Sequence, residues 1–351
     1  ERGDAEEAEQ QEPDAELGAN ASPHDGHPDH QGNDRQPEME TLLVHVSGQA
    51  MPEPRGPLRE PPVAARDEER EQVLEVLESG HLSRYGDLND PAFKHKVLQF
   101  EKEFAEYIGV GHCQATSSGT SALMMSLRAL GIQPGDEVII PCFGFVASYG
   151  STIFLGGVPV LAEIDESLNI DPEDIEHRIT PRTKAIMPLH MQGNPCRIDA
   201  ILEIAAKHNL AVVEDCCQAC GASYKGRKVG SFGHMAGFSL NVFKTITTGD
   251  GGMLVTNTPE CYEQAFAMHD QGHKPKGSML EIREPSILGL NFRINELTGA
   301  VALAQLRKLD RITSSLRAKK ARLKQGIGRI KGTRYRQIND PEGECGTLLT
   351  I

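Results

Sequence analysis

Between about residues 110 and 256, short apolar segments alternate with longer amphipathic ones, and this alternation restricts the fold more than any other feature of the chain. Segments 137–141, 159–164, 185–190 and 210–214 are brief and rich in Val, Ile and Leu, so they read as strands. Helical patterns at 121–130, 145–155, 171–179 and 198–208 separate them. Two further strands, at 235–240 and 252–256, bracket Lys244, with Gly249, Gly251 and Gly252 marking the turn between them. Strands that alternate with helices need crossover connections. The pattern therefore predicts an α/β, three-layer αβα fold with a mostly parallel central sheet.

Helices at 68–79 and 93–108 precede this region, the second placing Val97, Phe100, Phe104 and Tyr107 at helical spacing. Helices at 295–309 and 311–326 follow it. Residues 327–351 are too few to complete a second domain of ordinary size. The expected organisation is an acidic tail over 1–55, a large domain over 56–310, and at 311–351 the start of a small C-terminal domain that is incomplete.

Charge matters only once it is located. The chain carries a net charge of -14, and residues 1–55 hold 14 acidic residues against three arginines, about -11 of that total. This tail is rich in Glu, Asp, Pro, Gly and Gln and is expected to be disordered, because it has too little apolar surface to offset its ordering entropy. His24, His27 and His30 within it are read as solvated, not as a metal site. The near-neutral remainder offers no basic face for nucleic acid, and no apolar run approaches the roughly 18 residues of a membrane span. Eight cysteines follow no regular spacing, and in a chain of this size without a leader pattern they are expected to be reduced, which points to the cytoplasm. Cys217 and Cys220 have the spacing of a zinc or redox pair, but no second pair stands at a suitable distance, so no metal is assigned.

Several polar residues fall where strands end, the place where open α/β sheets gather ligands. Ser118, Gly119 and Thr120 sit at a strand-to-helix junction whose free N–H groups and dipole suit a phosphate, though an ordinary N-cap explains the serine equally. Asp215 closes the strand 210–214, with Gln218 three residues on; it is either a turn residue or a carboxylate that partners a cationic ring nitrogen. Lys244 lies five residues after Ser239 and beside the glycine turn, where a solvated surface lysine is the plain alternative.

In this order and spacing the blocks Ser118-Gly119-Thr120, 135–141, 180–185, Glu214-Asp215-Cys216-Cys217-Gln218, 224–230, Lys244 with its glycine turn, and 289–293 resemble the DegT/DnrJ/EryC1/StrS aminotransferases. These are fold-type I pyridoxal 5'-phosphate (PLP) enzymes that aminate keto sugars or cyclitols, and the resemblance covers about residues 70–325. It implies that Lys244 carries PLP as a Schiff base and then moves a proton for the substrate, and that Asp215 pairs with the ring nitrogen. Gln218 would face the phenolic oxygen and Phe145 would stack on the ring. Ser118, Gly119, Thr120 and Ser239 would hold the phosphate. Asn291 and Arg293 match a loop that reaches the neighbouring subunit's site, which implies a homodimer, and His190 matches a histidine near the site. The expected reaction takes nitrogen from glutamate or glutamine and gives it to a keto sugar, nucleotide-linked or acidic, for polysaccharide or secondary-metabolite biosynthesis; the stretches 242–249 and 290–293 look closest to members acting on sugars, including an eight-carbon acid sugar of outer-membrane polysaccharide.

Two alternatives stand beside this reading. Sugar dehydratases of the same family place histidine where Lys244 stands, so Lys244 speaks against that branch; a regulatory or binding relative would need no catalysis, and Lys244, Asp215 and Gln218 together speak against it. The chain departs from the family pattern in its acidic tail and in Phe143-Gly144, where a threonine commonly precedes the stacking aromatic.

Overall fold

A computed structural model describes residues 67–276, 279–281 and 287–351. By its internal contacts the chain divides into Glu1–Pro57 and Leu58–Ile351, and the second unit is the one described below. The expected disorder of the acidic tail and the three tail histidines lie outside the described residues.

Two helices lead into the sheet: α1 (Asp67–Ser79) and α2 (Lys96–Ile108). The alternating region then follows as β1 (His112–Thr116), α3 (Gly119–Ala129), β2 (Glu137–Pro141), α4 (Val146–Ile153), β3 (Val158–Ala162), α5 (Pro172–Arg178), β4 (Thr183–Ile186), α6 (Ile198–His208) and β5 (Ala211–Asp215). Next come a two-residue hairpin, β6 (Ser223–Tyr224) with β7 (Arg227–Lys228), and the strands β8 (Met235–Ser239) and β9 (Gly252–Thr256). Beyond them are α7 (Pro259–His269), a short ribbon of β10 (Lys274–Lys276) and β11 (Met279–Glu281), then α8 (Glu296–Leu306) and α9 (Leu309–Ile327).

Seven strands form one sheet in the order β1-β9-β8-β5-β4-β2-β3. All pairings from β8 through β3 are parallel, while β9 runs antiparallel to both neighbours, β1 and β8. The sheet is thus mostly parallel, as the alternation predicts. The two closing strands differ because a turn through Gly249 and Gly251, both at positive φ, returns the chain directly alongside β8 without a crossover helix.

Period-two alternation decides which core each strand residue joins. Val138 and Ile140 of β2 pack with Leu123 and Leu127 of α3, whereas Ile139 faces the opposite side with Ile175 of α5 and Ile198 and Ile201 of α6. In β9, Met253 and Val255 join Phe100 and Phe104 of α2 and Leu303 and Leu306 of α8, while Leu254 turns to Met125 of α3 and Ala265 of α7. Helices therefore cover both faces of the sheet, the three-layer arrangement expected. Inner strands such as β2 and β9 carry continuous apolar runs because neither face meets water, whereas the edge strand β3 exposes Val158 and Leu161.

Several boundaries differ from the sequence reading. The helix expected from residue 93 begins at Lys96, after His95 adopts a left-handed N-cap conformation. The strand expected over 185–190 ends at Ile186, and only an isolated bridge from Leu189 to Asp215 continues its direction. Helix α7 does not emerge from periodicity because its buried residues run consecutively from Ala265 through His269, so it shows little amphipathic contrast.

Candidate active site

The carboxyl ends of β1, β5 and β8 meet above the sheet, and the polar residues placed there by the sequence come together. Helix α3 starts at Gly119 with Ser118 as its N-cap: the Ser118 hydroxyl accepts from the Ser121 N–H at 3.0 Å, and the Ser121 hydroxyl in turn accepts from the Ser118 N–H at 3.0 Å. That reciprocal cap leaves the Gly119 and Thr120 N–H groups without an acceptor among the described residues. Gly119 is required here by packing, since a Cβ on it would lie 2.7 Å from Cys217 Sγ and 2.8 Å from Ser239 Cβ. Gly252 lies equally close, and a Cβ there would meet the Ser118 carbonyl at 2.4 Å. Strands β8 and β9 thus approach the start of α3 with room for backbone only.

Asp215 is buried, with 2% of its surface exposed. Its Oδ1 accepts from the Cys217 N–H at 3.0 Å and its Oδ2 from the Ser148 hydroxyl at 2.6 Å. Ser148 is itself buried on α4, and no motif in the sequence singles it out. Cys217 stands between these groups. Burial is the largest cause that pushes its thiol well above the ordinary range, the Asp215 carboxylate adds to it, and Lys244 opposes it. That thiol is therefore held in its neutral form beside a carboxylate and an amine.

Lys244 follows β8 on a turn in which its N–H donates to the Asn241 carbonyl at 2.9 Å. Its half-buried Nζ makes no ion pair or hydrogen bond among the described residues and lies 5.7 Å from the centre of the Phe145 ring. Phe145 is the N-cap of α4 and is 59% exposed, so it is not a core aromatic. Ser239 ends β8, and its hydroxyl accepts from the Asn241 N–H at 3.3 Å. Gln218 is half-buried, and its Oε1 accepts from the Gln192 N–H at 3.0 Å.

Asn291 and Arg293 stand apart from this group. They line a neighbouring cavity of about 370 Å³ together with Arg84, Ser117, Asp250 and Thr298. There Arg293 pairs with the fully buried Asp270, which also accepts from the Tyr85 hydroxyl. His190 does not face the site. Its Nδ1 accepts from the Cys196 N–H, so Nε2 carries the proton and donates to Glu214 at 3.0 Å. Glu214 also accepts from the N–H groups of Gly230, Phe232 and Gly233, at 2.8, 2.7 and 2.7 Å. The cluster His190, Glu214 and Cys216 has ligand atoms within 4.8 Å of one another, but these hydrogen bonds already engage its carboxylate and imidazole in closing the turn before β8. All eight cysteines are free thiols, and Cys217 and Cys220 serve the site loop and the core respectively.

The residues fit a flat, anionic cofactor. Two unpaired helix N–H groups and the Ser239 hydroxyl surround a cradle that a Cβ would fill, a buried carboxylate stands behind it, and an unpaired amine lies beside an exposed aromatic ring.

The chain also matches known proteins. The family model described as the DegT/DnrJ/EryC1/StrS aminotransferase family matches residues 63–348. Over 243 residues the chain is 42% identical to GDP-perosamine synthase of Caulobacter vibrioides, covering 69% of this chain and 62% of that protein. It is 40% identical over 253 residues to the spore coat polysaccharide biosynthesis protein SpsC of Bacillus subtilis, covering 69% and 62%. A crystal structure of 3-amino-5-hydroxybenzoic acid (AHBA) synthase superposes with a TM-score of 0.73 at 34% identity, over 80% of this chain and 72% of that one. The chain spans less than two thirds of the length of these curated relatives. No helix among the described residues is long and apolar enough to cross a membrane.

Proposed function

The chain belongs to the DegT/DnrJ/EryC1/StrS aminotransferase family, whose members depend on PLP, and from that premise we propose that it is a sugar aminotransferase with Lys244 as its cofactor-binding lysine. The observation that carries this reading is the unpaired Lys244 Nζ above Phe145, in one site with the buried Asp215 carboxylate and the free N–H groups of α3. When bound, PLP supplies an electron sink for the bond-breaking at the substrate carbon.

The chain's own residues have the remaining work. Gly119 and Thr120 N–H groups and the Ser239 hydroxyl would hold the phosphate, with the α3 dipole favouring its charge. Asp215, fixed by Ser148 and the Cys217 N–H, would keep a proton on the ring nitrogen opposite it. Phe145 would cover one ring face and shield it from water. Lys244 Nζ would hold the cofactor covalently and, once released by the incoming amine, carry a proton to and from the substrate carbon. Gln218 would donate to the phenolic oxygen through the amide end that Gln192 leaves free.

The substrates follow the relatives. We place glutamate or glutamine as donor and a keto sugar, nucleotide-linked or acidic, as acceptor; the named relatives include a GDP-perosamine synthase and a polysaccharide biosynthesis protein. Lys244 and these aminotransferase relatives do not favour the dehydratase reading. A homodimer with shared sites is supported by the exposed apolar residues that ring the site: Phe143, Phe145, Val146, Val242 and Phe243, the last 91% exposed. Asn291 and Arg293 would then serve the partner's site. Addition of glutamate to the PLP-loaded protein tests the reaction: the visible band is expected to bleach as the amino group is taken up, and a band that persists contradicts transamination.

A further inference from the structure

We propose that Gln192 is a positioning residue that decides which end of the Gln218 amide faces the cofactor, and that residues 336–350 hold it in that role. The inference rests on the reading above that Gln218 meets the cofactor's phenolic oxygen. Gln192 lies in the short turn after His190 with φ 53° and ψ 36°, a left-handed conformation that a residue with a Cβ rarely adopts. The C-terminal segment clamps this turn from several sides. Arg336 donates to the carbonyls of Met191 at 2.9 Å and Gln192 at 3.2 Å. Thr347 donates to the Gln192 carbonyl at 3.1 Å, and Thr350 donates to the Gln192 Oε1 at 2.6 Å. The Cys345 N–H donates to the Gly193 carbonyl at 3.0 Å, and a Cβ on Gly193 would meet Cys345 Cβ at 2.8 Å.

The left-handed turn aims the Gln192 N–H at Gln218 Oε1, 3.0 Å away. A carboxamide has one accepting end and one donating end, so engaging Oε1 turns Nε2 away as the free donor. Nε2 has no partner among the described residues. Gln218 therefore presents N–H rather than a lone pair, the polarity an ionised phenolic oxygen needs. Without the Gln192 N–H the amide is free to flip.

The test is a pH titration of the visible band of the PLP-loaded full chain. A donor to the phenolic oxygen weakens that oxygen's hold on the proton of the neighbouring nitrogen, so losing the donor raises the midpoint. Gln218→Leu is expected to raise it by about one pH unit. Gln192→Val, whose branched Cβ resists the left-handed turn, is expected to raise it similarly; Gln192→Gly, which tolerates that backbone and keeps the N–H, restores the wild-type midpoint. On a Gln218→Leu background Gln192→Val adds nothing, whereas a merely structural role shifts the midpoint on both backgrounds. If Gln218→Leu moves the midpoint and Gln192→Val does not, the proposal is overturned and the reading of Gln218 stands. If Gln218→Leu moves nothing, that reading fails and the proposal with it. Should Gln192→Val not fold, the double variant Arg336→Ala/Thr347→Ala, which removes the side-chain donors to both carbonyls of the turn, must raise the midpoint; no change overturns the proposal.

Discussion

Asp215 shows how far single residues were readable and where reading stopped. Its place at a strand end, three residues before Gln218, was plain from the order of motifs, but the Ser148 hydroxyl that fixes its orientation comes from a helix 67 positions away and leaves no local signature. Asp215→Asn is expected to lower the rate of amino transfer about a hundredfold or more, at ~1.4 kcal/mol of barrier per tenfold, and Ser148→Ala about tenfold. Single-turnover kinetics with glutamate separate the two; equal losses contradict the supporting role of Ser148. His269 supplies a stability test outside the Asp215 group. Burial first, and the nearby Arg84 and Arg293 after it, hold its pKa well below the ordinary histidine value. The native state keeps it neutral while the unfolded chain protonates below about pH 6.5, so its contribution is present above that pH and lost as pH falls below it. Urea unfolding between pH 7 and 5 is therefore expected to show a shallower loss of stability in His269→Gln than in wild type, by up to about 1.4 kcal/mol per pH unit. Parallel curves contradict this.

Among elements, the parallel strands and their crossover helices were legible because burial on both faces writes itself as short continuous apolar runs. What escaped was set by contacts distant in sequence. The antiparallel sense of β9 follows from the glycine turn behind Lys244, and α7 lacks a one-sided pattern because five consecutive residues of it are buried, with Thr258-Pro259 at its start as the signal that could have found it. The junction of α3 with β9 offers an element-scale prediction. Gly252→Ala forces a Cβ to within 2.4 Å of the Ser118 backbone, so it displaces the start of α3 and is expected to weaken PLP binding at least about tenfold while costing about 1–3 kcal/mol of stability. Ser118→Ala removes the cap and costs about 1 kcal/mol. Cofactor titration by fluorescence beside thermal melts checks both; unchanged PLP affinity in Gly252→Ala contradicts the assignment of this junction to the phosphate.

For the whole molecule, family membership joins separate observations: a sheet whose strand ends carry the site, exposed aromatics around it, and a loop at Asn291 and Arg293 that is not part of the Asp215 group. We keep the start of a second domain at residue 311 as a proposal, noting that Cys345 returns to the core of the large unit. If sites are shared between subunits, mixing Lys244→Ala with Arg293→Ala subunits rebuilds intact sites in mixed dimers, and up to about a quarter of wild-type activity is expected to return. No recovery contradicts the shared site. The proposal that Lys244 binds the cofactor was legible only through the company Lys244 keeps, and in the structure its amine is unpaired and lies beside Phe145. The most direct measurement is borohydride reduction of the PLP-loaded protein followed by peptide mapping: the visible band should become a permanent adduct on Lys244 and be absent from Lys244→Ala, whereas no band in wild type, or an adduct on another lysine, contradicts the proposed function.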